Sequence, residues 1–208
     1  IGFILAGGRG TRLRPHTEEI PKPLLEVGGK TILGHQIETL INEGVSPILI
    51  VTGFLAEKIT TFVNENFPNQ DFIFIHNSEY ESSKPAFAII KSLEHLTDTT
   101  LYLNGDVFYE PQILKEVIEN KNDSATAIQE TNWDEEEVKV IIDKDGFISE
   151  LSKNLTKEES SGEFIGITKL GDKFIDSIKE IAQNEGVEVF RHSFAIDLLN
   201  HVIHKSDN

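Results

Sequence analysis

Along this chain, short unbroken apolar runs alternate with stretches in which apolar residues recur every three or four positions. The first run, residues 1–6, has the length of a buried strand and stops at a glycine-rich turn, Gly7-Gly8-Arg9-Gly10. Residues 31–42 place Ile32, Leu33, Ile37, Leu40 and Ile41 on one helical face, and Gly44 supplies a terminator. Pro47-Ile48-Leu49-Ile50-Val51 reads as a second buried strand, 56–67 as a helix stopped by Pro68, and 71–76 as a third strand. A helix over 85–96 carries its proline in the first turn; a strand over 100–103 ends in Asn104-Gly105-Asp106, and a helix over 111–120 follows. Strand and helix in repeated succession form the pattern of parallel crossover units.

After residue 120 the pattern changes. Segments 125–130, 138–142 and 146–151 are short and β-like, and Asp143-Lys144-Asp145-Gly146 between the last two is a hairpin turn. A further strand is expected over 163–168, after a polar loop that begins at Lys153, and helices over 172–184 and 191–203 complete the pattern. No repeat or low-complexity linker divides the chain, so residues 1–208 are read as one domain with two halves that meet near residue 120.

Composition narrows the class. With 208 residues, 38% of them hydrophobic and 26% charged, the chain has the length and balance of a globular domain with a sizeable core. Its 35 acidic against 19 basic residues give a formal charge of −16, a field that opposes nucleic acid and anionic membranes. The absence of cysteine excludes disulfides and thiolate metal sites and suits a cytoplasmic protein. No apolar stretch reaches membrane-spanning length. The chain also lacks methionine and begins inside a strand, which suggests a portion of a longer protein.

Against this acidic background the first loop is a basic exception. Gly7, Gly8 and Gly10 allow backbone N–H groups to approach a phosphate without a Cβ in the way. Arg12 and Lys22 add positive charge at the same place, a combination suited to a triphosphate. A P-loop is excluded because no Gly-x-x-x-x-Gly-Lys-Ser/Thr run exists. A dinucleotide fingerprint is excluded because Gly8-Arg9-Gly10 is followed by Thr11-Arg12-Leu13, without the third glycine.

The run Leu5-Ala6-Gly7-Gly8-x-Gly10-Thr11-Arg12-Leu13-x-Pro15, followed by Pro21-Lys22-Pro23-Leu24, resembles the opening of the nucleotidyltransferase family, whose members activate sugar-1-phosphates or phospho-alcohols with a nucleoside triphosphate. The resemblance implies a Rossmann-like three-layer α/β fold with a mixed, mostly parallel central sheet. It implies a nucleotide-binding half over about 1–120 and an acceptor-binding half over about 121–208. It also implies that Leu5, Ala6, Gly7, Gly8, Arg9, Gly10 and Thr11 hold the nucleotide, that Arg12 neutralises the departing pyrophosphate, and that Lys22 faces the α-phosphate.

Asp106 follows a hydrophobic strand, at the edge where open α/β sheets bind ligands, and a carboxylate there suits Mg²⁺. Leu103-Asn104-Gly105-Asp106 resembles the family's metal motif. The family's second metal aspartate has no counterpart; Asp197 stands before Leu198, in a different context. By the same resemblance Lys153, in Ser149-Glu150-Leu151-Ser152-Lys153, would hold the acceptor's phosphate, and Glu163, in Glu163-Phe164-Ile165-Gly166, would line the acceptor pocket. Trp133, beside Asp134, Glu135, Glu136 and Glu137, has two readings: a cation–π seat for an ammonium head group, as in members acting on phosphocholine, or a surface tryptophan over a solvated acidic turn. His201 and His204 have no third ligand and are read as solvated helix positions, and neither a Gly-x-Ser-x-Gly elbow nor a cysteine nucleophile is present. The motifs look most like members that move CMP from CTP to a phospho-alcohol or phosphonate. A sugar-1-phosphate nucleotidylyltransferase and a non-catalytic scaffold of the same fold stand as alternatives.

Overall fold

A computed structural model describes residues 1–97, 99–130 and 137–206. β1 (Gly2–Leu5) leads into the glycine loop; a small hairpin of β2 (Glu26–Val27) and β3 (Lys30–Thr31) precedes α1 (Ile32–Asn42). Gly28 and Gly29 take φ values of 61° and 84° in that hairpin turn, a conformation that favours glycine at both positions. The alternation continues through β4 (Ile48–Thr52), α2 (Ala56–Asn66), β5 (Phe72–His76), α3 (Pro85–Lys91), β6 (Thr100–Asn104) and α4 (Pro111–Glu119). The second half adds β7 (Ala125–Gln129), β8 (Lys139–Ile142), β9 (Ile148–Ser152), β10 (Gly162–Leu170), α5 (Asp172–Glu185) and α6 (Ala195–Ser206).

Among the described residues, eight strands form one mixed sheet in the order β5-β4-β1-β6-β10-β8-β9, with β7 also paired to β10. β5, β4, β1 and β6 run parallel. Their apolar runs are unbroken because both faces are covered. Phe3, Leu49, Val51 and Tyr102 pack with α3, α5 and α6 on one side. Ile4, Ile48, Ile50, Leu101 and Leu103 pack with α1, α2 and α4 on the other. The period of two along each strand therefore sorts one hydrophobic run into two cores, giving the three-layer α/β architecture expected from the sequence.

β10 runs against the parallel strands and joins the two halves. Thr168 pairs with both Thr126 and Tyr102, and Glu163 with both Gln129 and Lys139, so β7 occupies one edge while β6 and β8 share the other. The strand changes register at Gly166, where φ is +76° and a Cβ would lie 2.2 Å from the Asn104 side-chain nitrogen.

Two helices are shorter than their periodicity implies. α3 ends at Lys91 because Ser92 bonds back to the Ala88 carbonyl at 2.8 Å, and the following turn tightens over Leu93–His95. α6 starts at Ala195 rather than 191. The carbonyls of Arg191 and Ser193 accept from Lys84 and Ala86 at the start of α3, and Asp197 Oδ2 accepts from the Phe194 amide at 2.6 Å. The Asp143 turn forms as expected, its Oδ1 accepting from the amides of Asp145 and Phe147, both at 2.9 Å. No helix among the described residues is long and apolar enough to cross a membrane.

β6 closes on β1 through Gly105. Its amide donates to the Leu5 carbonyl at 3.0 Å, and a Cβ there would lie 2.3 Å from that same oxygen. Backbone rather than a flexible side chain blocks the space, so Gly105→Ala is expected to destabilise the protein by about 3 kcal/mol through forced strand separation, read from urea denaturation.

Candidate active site

The carboxyl ends of β1, β4 and β6 lie side by side, because Leu5 pairs with both Val51 and Asn104. The start of the loop after β1 is held by main chain: the Ala6 amide donates to Val51 at 2.9 Å and the Phe54 amide donates to Gly7 at 3.1 Å. A Cβ on Gly7 would stand 3.2 Å from the Thr52 carbonyl carbon, and one on Gly53 would stand 2.6 Å from the Gly7 oxygen, so the two backbones touch only because both residues are glycine. Gly8 differs, with open space around its Cβ position. Gly10 takes φ +60°, its carbonyl accepts from the buried Thr17 hydroxyl at 2.7 Å, and its Cβ position lies 3.1 Å from Lys22 Cβ. That contact sets the lysine beside the loop although eleven residues intervene in sequence.

Lys22 opens a tight turn over Lys22–Leu24, and its Nζ lies 2.7 Å from Asp106 Oδ2. The structure thus brings together the lysine of the second basic block and the carboxylate that follows β6. Arg12 sits in the exposed turn Thr11–Leu13 and has no ion-pair partner among the described residues. Arg9 reaches across the mouth instead, bonding Glu81 Oε1 at 2.6 Å with its guanidinium 5.3 Å from the Phe54 ring centre.

The Asp106 turn is gripped from several sides, and these partners were not foreseen from the sequence. Gln36, fully buried in α1, donates from Nε2 to the carbonyls of Asn104 and Val107, each at 2.8 Å. His35 Nε2 bonds the Tyr109 carbonyl at 2.6 Å, and Thr39 meets the Tyr109 hydroxyl at 2.7 Å. Tyr102 donates to Asn104 Oδ1 at 2.6 Å. Burial, with a smaller contribution from the Asp106 charge, pushes the Tyr102 phenol well above its ordinary range, so it remains a donor. Burial likewise pushes Tyr109 up to about 12, against the opposing hydrogen bond with Thr39. The one sequence signal for this grip is that Gln36 interrupts the apolar stripe of α1, next to Leu33, Ile37 and Leu40.

Lys153 and Glu163, the residues expected on the acceptor side, come from the second half. Lys139 pairs with both Glu163 and Ser152, so Glu163, Lys139 and the start of the segment after β9 stand at one level of three strands. Lys153 is exposed immediately beyond Ser152, and its carbonyl accepts from the buried Lys139 Nζ at 3.1 Å. Its ammonium is not among the groups that touch Lys22 or Asp106. Trp133 lies outside the described residues. A further ionic cluster ties the segment after β5 to the one before α6: Glu79 accepts from Arg191 at 2.6 Å and Lys91 at 2.8 Å, and these two hold its carboxyl below the ordinary value of 4.5.

For metal binding, Asp106 is a single hard oxygen donor beside the loop, and no three His, Asp or Glu converge among the described residues. This donor set fits Mg²⁺ delivered with phosphate oxygens and water rather than enclosed by protein ligands alone. Asp197 is occupied as a helix cap, and His201 and His204 pair with Glu185 and Glu150, each at 2.9 Å. Two cavities of about 290 and 470 Å³ are lined by neither the glycine loop nor Asp106.

Comparison with known proteins gives the same outline. A family model described as nucleotidyl transferase matches residues 1–140. The bifunctional protein GlmU of Methanococcus maripaludis is 33% identical over 189 residues, covering 90% of this chain and 44% of that protein. The chain therefore spans less than half the length of that relative. The CTP:phosphoglutamine cytidylyltransferase of Campylobacter jejuni is 25% identical over 193 residues, covering 85% of this chain and 75% of that one. Among solved structures, the inositol-1-phosphate CTP transferase from T. maritima superposes with a TM-score of 0.81 at 17% identity, covering 98% of this chain and 81% of that one, a likeness of fold.

The Lys22–Asp106 pair does little for stability: with side chains 27% and 44% exposed, solvent screens it to at most about 1 kcal/mol. Lys22→Met is accordingly expected to change the unfolding free energy read from urea denaturation by no more than that amount, which separates its role at the site from any role in folding.

Proposed function

The chain belongs to the nucleotidyl transferase family, and we propose that it transfers CMP from CTP to a phosphorylated small-molecule acceptor, phosphocholine or a related phospho-alcohol or phosphonate, with release of pyrophosphate. The observation that carries this reading is the meeting of Lys22 and Asp106, 84 residues apart, beside a loop whose glycines free the backbone for phosphates. A cation and a metal-binding carboxylate at one strand edge suit an α-phosphorus that must be attacked and a pyrophosphate that must leave.

In this mechanism an oxygen of the acceptor's phosphate forms a bond to the α-phosphorus, and the bond from that phosphorus to the bridging oxygen of pyrophosphate breaks in line. The amides of residues 6–11 hold the nucleotide. Lys22 leaves Asp106 for the crowded α-phosphate, Arg12 faces the departing pyrophosphate, and Lys153 holds the acceptor phosphate beside Glu163. Asp106 would hold Mg²⁺, which when bound supplies positive charge to the phosphate oxygens. Trp133 with its neighbouring carboxylates would seat a quaternary ammonium, an attraction of about 0.5–2 kcal/mol. The choice of CTP is supported by the Campylobacter relative, whose name specifies that nucleotide.

Pyrophosphate release measured with each nucleoside triphosphate against phosphocholine, other phospho-alcohols and glucose-1-phosphate tests the reading. Release with CTP and a phospho-alcohol supports it, release only with glucose-1-phosphate assigns a sugar-nucleotide synthesis, and silence with every pair leaves a scaffold. In the active pair, Lys22→Ala should lower kcat by two orders of magnitude or more, on the order of 2.7–4 kcal/mol as for loss of one transition-state donor. Wild-type turnover in that variant would remove Lys22 from the mechanism.

A further inference from the structure

We propose that Gln36 is a positioning residue for Asp106, setting through its carboxamide the turn that presents the carboxylate to the nucleotide-borne metal; this rests on the transfer reading above. Both of its Nε2 bonds go to carbonyls that bracket the aspartate: Asn104 two residues before it and Val107 one residue after, each at 2.8 Å. The turn's own bond, from the Val107 amide to the Asn104 carbonyl, is longer at 3.3 Å. A charge-bearing turn with so weak an internal closure takes its shape from what surrounds it.

The surroundings divide the labour. On the sheet side, the Gly105 amide is bonded to Leu5 at 3.0 Å and the Asn104 side chain to Tyr102 at 2.6 Å. On the helix side, Gln36 and His35, neighbours in α1, take the carbonyls of Asn104, Val107 and Tyr109. Asp106 is the one residue of the turn left pointing at Lys22. Gln36 does this at a cost: it is 0% exposed, and its Oε1 has no hydrogen-bond partner among the described residues. A leucine or methionine would fill the same space on the apolar face of α1 without burying an unsatisfied oxygen. The donor pair, rather than the volume, is what the site uses.

Groups that orient a metal-binding side chain change metal affinity or activity by about 10–100-fold when removed. Gln36→Met keeps length and removes both donors; Gln36→Leu also fills the apolar face of α1 and removes them at every pH. In metal-free protein, hydrogen exchange at the amides of residues 105–108 should accelerate by about tenfold in both variants, while β1 and β4 retain wild-type protection. In the assay, the magnesium concentration for half-maximal turnover should rise by about 10–100-fold in both, with the acceptor KM unchanged. Unchanged exchange at 105–108, or acceleration spread evenly over all strands, overturns the proposal, as does an unchanged magnesium requirement. If wild-type protein turns over no nucleotide–acceptor pair, the transfer reading fails, and the exchange measurement by itself decides whether Gln36 shapes the turn.

Discussion

Everything at the site depends on β1 lying between two parallel partners. Leu5 is paired with Val51 on one side and Asn104 on the other, so three strand ends open onto the same edge. In a parallel sheet the chain must leave that edge and return by a helix, which makes it the place where loops gather. Two constraints then sharpen it. Gly7 and Gly53 let the β1 and β4 loops touch backbone to backbone, and Gly105 lets the β6 turn press against Leu5. Close approach, which excludes side chains at these three positions, leaves room for Lys22 and Asp106 to meet.

Their pairing is informative because it is energetically minor for folding. A solvent-screened pair stabilises by about 0–1 kcal/mol, whereas the two apolar cores flanking the sheet bury most of the large side chains. Folding would proceed without it. The same ammonium beside a polyphosphate in a partly dehydrated site has far more to offer, since Coulomb attraction grows as the effective dielectric falls. In the structure Asp106 holds the lysine beside the glycine loop, with its Nζ 2.7 Å from Oδ2.

The second half contributes a wall rather than a separate unit. β10 donates part of one edge to β6 and part to β8, and its bend at Gly166 makes room for the Asn104 side chain. The strand that carries Glu163 is thus continuous with the one that closes the sheet beside the Asp106 turn. Lys139, buried at 2% exposure, spends its ammonium on backbone carbonyls including that of Lys153, which fixes the chain where the exposed Lys153 emerges. The overall charge of −16 makes these cations local exceptions in an acidic chain.

How much of this was legible beforehand follows from the range of the forces involved. Alternation of apolar runs and helical stripes, the glycine-loop chemistry, and the Asp106 position after a strand are local properties, and the strand–helix order could be read from them, while the three-layer class followed from the resemblance of the opening motif to a known family. Helix ends were misjudged at Ser92 and at Arg191–Ser193 because the groups that end those helices are a back-bonding hydroxyl and the amides of Lys84 and Ala86. The contact between Lys22 and Asp106, the grip of Gln36 on two carbonyls, and the shared edge of β10 join residues tens of positions apart. Sequence alone determined which side-chain types stand at which local spacing, since both are written in the chain. Only the tertiary structure decided which of them meet, because register and backbone approach between distant strands depend on the packing of the whole sheet.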